Sequence, residues 1–385
     1  MTVESTTTAL QSGPAAPPGT GTAETTELGH GTAVRHLIHC PPSWDRYLLE
    51  APGSSEEHFV LAGDLPTAHP LFNDGPGLLH DPQLLTETLR EVGEFVGHQY
   101  FGVPQDRPGL FHRFALDLTG TAPWRTVPAA GPGPSRHRAR LLTRLAVRPT
   151  HSLAGVPRGL EFRLEAAIDD VLCATGTAGL VFLTPALHRS HIDQSRRALR
   201  AAPAEGAPYG ESAWPVPAAE VGRRSEANVV VREDLSAPAA PDRLSTWIVP
   251  QPDRPLFAGP NRLDTKAHGG GRPAARNGGR SAAAEREGEG KPEVGGLSAL
   301  LLLEGMRQSA LLAAARSGAV DVDRAVLGSF DVRLTGYAAD DLPLRCTVVS
   351  GPGAHRRERE AALTVTQNGR PVADARARVV QDQDS

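Results

Sequence analysis

Leu301-Leu302-Leu303-Glu304-Gly305-Met306-Arg307-Gln308 restates, 217 residues further on, Leu84-Leu85-Thr86-Glu87-Thr88-Leu89-Arg90-Glu91. In both stretches a carboxylate and a guanidinium stand three residues apart in an apolar run. That spacing puts the two side chains on one face of a helix. A related phrase precedes each copy: Ala68-His69-Pro70-Leu71-Phe72 before the first, Asp253-Arg254-Pro255-Leu256-Phe257 before the second. An internal repeat fixes the architecture before any residue is given a role. Two copies of one unit predict a duplicated α+β fold with a pseudo-two-fold arrangement.

Working outward from the first copy, Asp81 and Pro82 are start signals for a helix, and Gly102-Val103-Pro104 stops it. The span of roughly 20 residues is about 30 Å long. Strand patterns follow at 111–118, 138–147, 160–164 and 179–184. The second helix is expected from about Leu297 to Ser317, ending at Gly318. After it come strand patterns at 328–335, 344–349, 361–367 and 373–379, with Asn368-Gly369 as the strongest hairpin signal. Helix first, then an antiparallel meander, appears twice. A long apolar helix wrapped by a curved antiparallel sheet satisfies both halves. Setting the two sheets edge to edge would cover each other's open edges.

The expected organisation is a disordered tail over 1–30, a first domain over 31–200, a linker over 201–222 and a second domain over 223–385. His69 precedes Glu87 by 18 residues, whereas Arg254 precedes Glu304 by 50. The second copy therefore carries a flexible insert at about 259–296, rich in Gly, Ala, Arg and Glu.

The 385 residues carry a formal net charge of -4 with interspersed signs, so there is no electrostatic footprint for nucleic acid. Cys40, Cys173 and Cys346 are odd in number and far apart, which predicts neither a disulfide framework nor a metal motif. No apolar run long enough to span a membrane is present, and a soluble cytoplasmic protein is the expectation. Nucleophile elbow, Walker loop, dinucleotide fingerprint and metal-ligand spacing are all missing. The expectation is chemistry with no cofactor and no metal, by a monomer with pseudo-dimeric repeats or by a homodimer.

The run His69-Pro70-Leu71-Phe72, then His80-Asp81-Pro82-Gln83-Leu84-Leu85-Thr86-Glu87-Thr88-Leu89-Arg90 and Gly102-Val103-Pro104, resembles the A-factor biosynthesis family of actinobacteria. Asn228-Val229-Val230-Val231 and the second helix fit that family's second half. The likeness covers roughly residues 33 to 380. It implies a double hotdog fold and an acyltransferase that joins a β-ketoacyl group on acyl carrier protein to dihydroxyacetone phosphate. Ring closure then gives a phosphorylated butenolide, the precursor of a γ-butyrolactone-type signal. The second opening departs from the family, with Arg254-Pro255 in place of histidine-proline and an insert before the helix.

Glu87 and Glu304 are the candidate catalytic carboxylates, because burial raises a carboxyl pKa towards the range of a general base. For each, an ion pair with the arginine three residues on is the competing role. Arg90 and Arg307 are candidate clamps for a phosphate or an enolate oxygen. His69 is a candidate for orienting the thioester or moving a proton, against a turn histidine bonded to backbone. Backbone N–H groups near Asp81 to Gln83 are candidates for polarising the thioester carbonyl. Two other classes stay open: a hotdog dehydratase or thioesterase, and a non-catalytic binder of acyl thioester or acyl carrier protein.

Overall fold

The computed structural model describes residues 33–35, 46–50, 58–66, 69–126, 139–150, 152–203, 212–238, 240, 242–249, 298–339 and 342–383. The expected tail at 1–30 and the expected insert at 259–296 lie outside the described residues. In chain order the first half runs β1 (Ala33–Arg35), β2 (Arg46–Glu50), β3 (His58–Asp64), α1 (Gln83–Gln99), β4 (Gly109–Leu118), β5 (Arg140–Thr150), β6 (Gly159–Ile168) and β7 (Val171–Phe182). Helix α2 (Pro185–Ala201) follows. The second half runs β8 (Ala213–Pro215), β9 (Val231–Asp234), β10 (Arg243–Ile248), α3 (Ala299–Arg316), β11 (Ala325–Leu334), β12 (Leu344–Pro352), β13 (Glu358–Gln367) and β14 (Arg370–Gln381).

These strands form one 14-stranded sheet in the order β1-β2-β3-β5-β6-β7-β4-β11-β14-β13-β12-β10-β9-β8. The seam is β4 against β11, antiparallel, with Leu116 opposite Phe330 and Phe114 opposite Val332. Outward from that seam both halves have the same order, and in both the long helix falls between the third strand and the fourth. The edge-to-edge arrangement expected from sequence is the one observed.

Helix α3 packs against every strand from β9 to β14. Six adjacent strands span about 24 Å, whereas a helix is only about 10 Å across, so the sheet must bend round it. Close approach is achieved through glycine. A Cβ on Gly305 would lie 2.7 Å from Ile248 of β10, and one on Gly93 of α1 would lie 2.7 Å from Phe111 of β4. Both helices are buried nearly all round, including their charged residues.

Local signals mostly act where the sequence places them. Helix α1 begins one residue after Pro82, and Asp81 Oδ1 accepts from the Gln83 N–H at 3.0 Å. Gly318, at φ +66°, ends α3, and Asn368-Gly369, at φ +47° and +72°, turns β13 into β14. The corresponding turn between β6 and β7 uses Asp169-Asp170, both at positive φ, which non-glycine residues adopt chiefly when they are Asn or Asp.

Two elements escape the sequence pattern. Helix α2 lies on the surface and buries only Ile192 and Leu199, so its apolar periodicity is faint. The stretch 201–222, expected as a linker, contains edge strand β8 and a 3-10 turn, Ala218–Val221, packed on α3. No helix among the described residues is long and apolar enough to cross a membrane.

Candidate active site

The Glu304 carboxylate on α3 is fully buried. Oε1 accepts from Arg223 Nε at 2.9 Å, Arg307 Nη2 at 2.9 Å and Gln308 Nε2. Oε2 accepts from Arg223 Nη2 at 2.8 Å and Arg307 Nε at 2.9 Å. Burial alone would raise its pKa, but the two guanidiniums reverse this and hold it down at about 2. Such a group remains a carboxylate at neutral pH. Of the two roles open from sequence, the geometry gives Glu304 that of ion-pair partner.

Arg223 extends this network across the seam. Nη1 donates to Leu71 O at 2.9 Å, and Nη2 to Asp81 Oδ2 at 3.0 Å, at the N-terminus of α1. Beside it, Asn228 Nδ2 donates to Pro70 O at 2.7 Å and Asp74 Oδ2 at 2.8 Å, while Gln308 Nε2 donates to Asn228 O. The loop leading into α1 is thus fastened to the middle of α3. Neither Arg223 nor Asn228 stands out as chemistry in the sequence, because each acts on residues some 80 or 150 positions away.

The matching pair on α1 lies in a different charge balance. Arg90 donates to Glu87 from Nε at 3.0 Å and from Nη2 at 2.7 Å, and its Nη2 lies 3.5 Å from Glu91 Oε1. Glu94, one turn further on, is also buried and accepts from the Gly109 N–H at 3.3 Å. The Arg90 guanidinium is held protonated beyond its ordinary range; burial works against its charge, and the adjacent carboxylates outweigh that. Burial pushes the Glu94 carboxyl up to about 7, with Arg90 and the Gly109 N–H opposing and Glu91 and Glu87 reinforcing. Three buried carboxyl groups stand along this helix with one guanidinium among them, and Glu94 is the member that burial lifts towards neutral pH.

His69 is buried in the turn before α1. Its Nδ1 accepts from the N–H groups of Leu71 and Phe72, both at 3.0 Å, and its ring lies 4.4 Å from that of Phe72. These contacts are those of a turn histidine bonded to backbone.

Between the halves lies a small cleft, partly open to solvent, with a cavity volume of about 50 Å³. Leu79, Leu116, Val326, Leu327 and Phe330 give it apolar walls, and Gln83, Thr86, Arg223 and Arg307 bring polar groups to it. Of the sequence-selected groups, Arg307 and the Asp81 to Gln83 segment line it; Glu87, Arg90, His69 and Glu304 stand behind the lining. Gln83 is 95% buried, being 5% exposed, yet neither Nε2 nor Oε1 has a hydrogen-bond partner among the described residues. Leaving such a group unpaired costs roughly 1–3 kcal/mol. Among the described residues no group of three or more His, Cys, Asp or Glu is placed to hold a metal ion.

The model of a family described as the A-factor biosynthesis hotdog domain matches residues 33–184 and 293–381, more than half of the chain. A 2-oxo-3-(phosphooxy)propyl 3-oxoalkanoate synthase of Streptomyces coelicolor is 29% identical over 213 residues, 55% of this chain and 60% of that protein. One of the same name from Streptomyces virginiae is 35% identical over 72 residues, 19% of this chain and 24% of that protein. The match thus spans less than two thirds of either relative. Among solved structures, the 12:0-ACP thioesterase of Umbellularia californica is 8% identical, with a TM-score of 0.44 over 84% of this chain and 94% of that one. By its family match, the chain belongs to the A-factor biosynthesis hotdog family.

Proposed function

We propose that this protein is an acyltransferase that joins a 3-oxoacyl group, delivered as an acyl carrier protein thioester, to the hydroxyl of dihydroxyacetone phosphate. The product is a phosphorylated ester, and its intramolecular condensation leads to a butenolide. The observation that carries this reading is the seam cleft, apolar along its walls and polar where Gln83, Thr86 and Arg307 meet it. With a cavity volume of about 50 Å³, such a cleft takes the oxygen-bearing head of an acyl thioester and leaves the chain to run along its apolar, solvent-open wall. The name borne by the Streptomyces relatives, which describes an ester of a 3-oxoalkanoate with a phosphooxypropyl group, supports the same pair of substrates.

In this mechanism the hydroxyl oxygen attacks the thioester carbonyl, the new C–O bond forms, and the C–S bond breaks. The hydroxyl proton passes to Glu87, which stands behind the lining and is reached by way of water or the Thr86 hydroxyl, and a proton returns to the departing thiolate. Arg307 steadies the oxygen that gains charge. Its Nη1 donates no hydrogen bond among the described residues, while Nε and Nη2 are spent on Glu304 and Val221 O. Glu304 is an anchor that aims Arg307, and His69 shapes the turn entering α1. Arg90 holds Glu87 in place, and Glu94 stores a proton behind it.

The test is incubation of the full chain with a 3-oxoacyl carrier protein, with and without dihydroxyacetone phosphate. Ester formed only with the phosphate supports the reading; free acid alone, or no product in either case, overturns it. Glu87→Gln is expected to lower the rate by about a hundredfold or more, the scale of a lost general base.

A further inference from the structure

We propose that Gln83 sets acyl specificity at this cleft by hydrogen-bonding the oxygen on C3 of a 3-oxoacyl chain, an inference that rests on the acyl-binding reading above. The first support is the unpaired carboxamide. Gln83 sits in the first turn of α1, 95% buried and lining the cleft, with both polar atoms unpartnered among the described residues. A buried amide of this kind is completed by a ligand that brings oxygen to it.

The second support is the equivalent position on the other helix. The register that aligns Glu87 with Glu304 and Arg90 with Arg307 aligns Gln83 with Leu300 and Thr86 with Leu303. Leu300 and Leu303 are buried in the core, so the fold accepts leucine at this place in the helix. Packing therefore gives no reason for an amide at 83, whereas a ligand does.

The charge balance indicates which part of a substrate belongs here. Around the cleft, the positive charges of Arg223 and Arg307 are matched by Glu304 and Asp81, and Asp323 adds a further carboxylate to the lining, so no cation is left over for an anionic head. A neutral, oxygen-bearing acyl head meets this surface without bringing an unmatched charge. The Gln83 Nε2–H donates to the ketone oxygen. In the enol form the added O–H donates to Oε1, so the carboxamide uses both its ends. A saturated acyl chain offers neither partner and leaves the amide stranded, which is the strongest form of discrimination a polar pocket has.

The experiment measures binding of two N-acetylcysteamine thioesters of equal chain length, one 3-oxoacyl and one saturated, to the wild-type chain and to Gln83→Leu. Wild type is expected to prefer the 3-oxo ligand by about tenfold, the worth of one net hydrogen bond. In Gln83→Leu the preference falls to within about twofold, with binding of the saturated ligand retained. A merely structural role for Gln83 would weaken both ligands together and leave their ratio unchanged. An unchanged ratio in the variant, or no preference in wild type, overturns the proposal. Condensation with dihydroxyacetone phosphate, assayed on the same preparations, separates the two readings. Product without a Gln83-dependent preference sinks only this inference; the preference without product sinks only the reaction.

Discussion

Helices α1 and α3 carry the same Glu-Arg pair in the same register and put it to different electrostatic ends. The Glu304 carboxylate meets two guanidiniums, because Arg223 arrives from the end of the 3-10 turn Ala218–Val221 and brings Asp81 in as the fourth charge. Around Arg90 there are three carboxyl groups for one guanidinium, because Glu91 and Glu94 stand where α3 has Gln308 and Leu311. One pair is a fixed charge that fastens the halves together. The other stands beside Glu94, whose carboxyl burial lifts to about 7. An identical three-residue spacing thus specifies contact between the two side chains; the charge supplied by neighbours decides whether the pair is a strut or part of an acid–base device.

The largest effect is expected from removing the second cation, Arg223. Arg223→Met leaves Glu304 with one guanidinium and strips Asp81 and Leu71 O of their donor. Breaking a buried pair on one side costs about 3–5 kcal/mol, read from urea unfolding at pH 7. Glu304 has a folded pKa below its ordinary value. Its contribution is therefore present above about pH 4.5 and is lost as pH falls towards 2. The gap between wild type and variant should narrow below pH 4. A loss under about 1 kcal/mol at pH 7 would mean that Arg307 alone satisfies Glu304, and the contrast between the helices would collapse.

Glu94 gives the reverse sign. Its folded pKa lies above its ordinary value, so its contribution is fully present below about pH 4.5 and is lost as pH rises through about 7. A shift from 4.5 to about 7 is worth about 3 kcal/mol at most. Glu94→Gln should remove this dependence, making stability at pH 8 closer to that at pH 5. Urea melts at the two values check it; an unaltered slope in the variant would move the titrating proton to another group.

The repeat itself, both helices and their glycine stops were legible because each rests on local chemistry: apolar spacing, capping and positive φ. The Asn368-Gly369 hairpin was legible for the same reason. Its counterpart Asp169-Asp170 was not, because no glycine marks it. Helix α2 left a fainter trace in Thr184-Pro185, where Thr184 Oγ1 accepts from the Leu187 N–H at 3.3 Å. The site was half legible. Glu87, Arg90, Glu304 and Arg307 announce themselves by the echo. Burial of Glu91 and Glu94 does not, since charges on a helix ordinarily mark its wet face. Arg223 was hidden directly after a stretch of Ala, Pro, Gly and Glu that has the composition of a spacer. Only the three-dimensional crossing of the seam gives it two carboxylates to hold.

The smallest effect expected concerns how each helix seats against its sheet. A Cβ on Gly305 would meet three Ile248 atoms at 2.7 to 2.8 Å, whereas one on Gly93 would meet the tip of Phe111 at 2.7 Å and that of Phe162 at 3.2 Å. Ile248 is branched at Cβ and stiff at χ1, so it cannot swing clear; a ring tip moves with a small rotation further back. Alanine also gains about 1 kcal/mol of helix propensity over glycine. Gly305→Ala should then cost about 1–2 kcal/mol net, and Gly93→Ala should fall near zero. Adding Ile248→Ala to Gly305→Ala should recover part of the added cost by removing the obstructing branch. Thermal melts of the three variants decide it. An equal loss in both single mutants would mean that the two helices press on their sheets alike and differ only in charge.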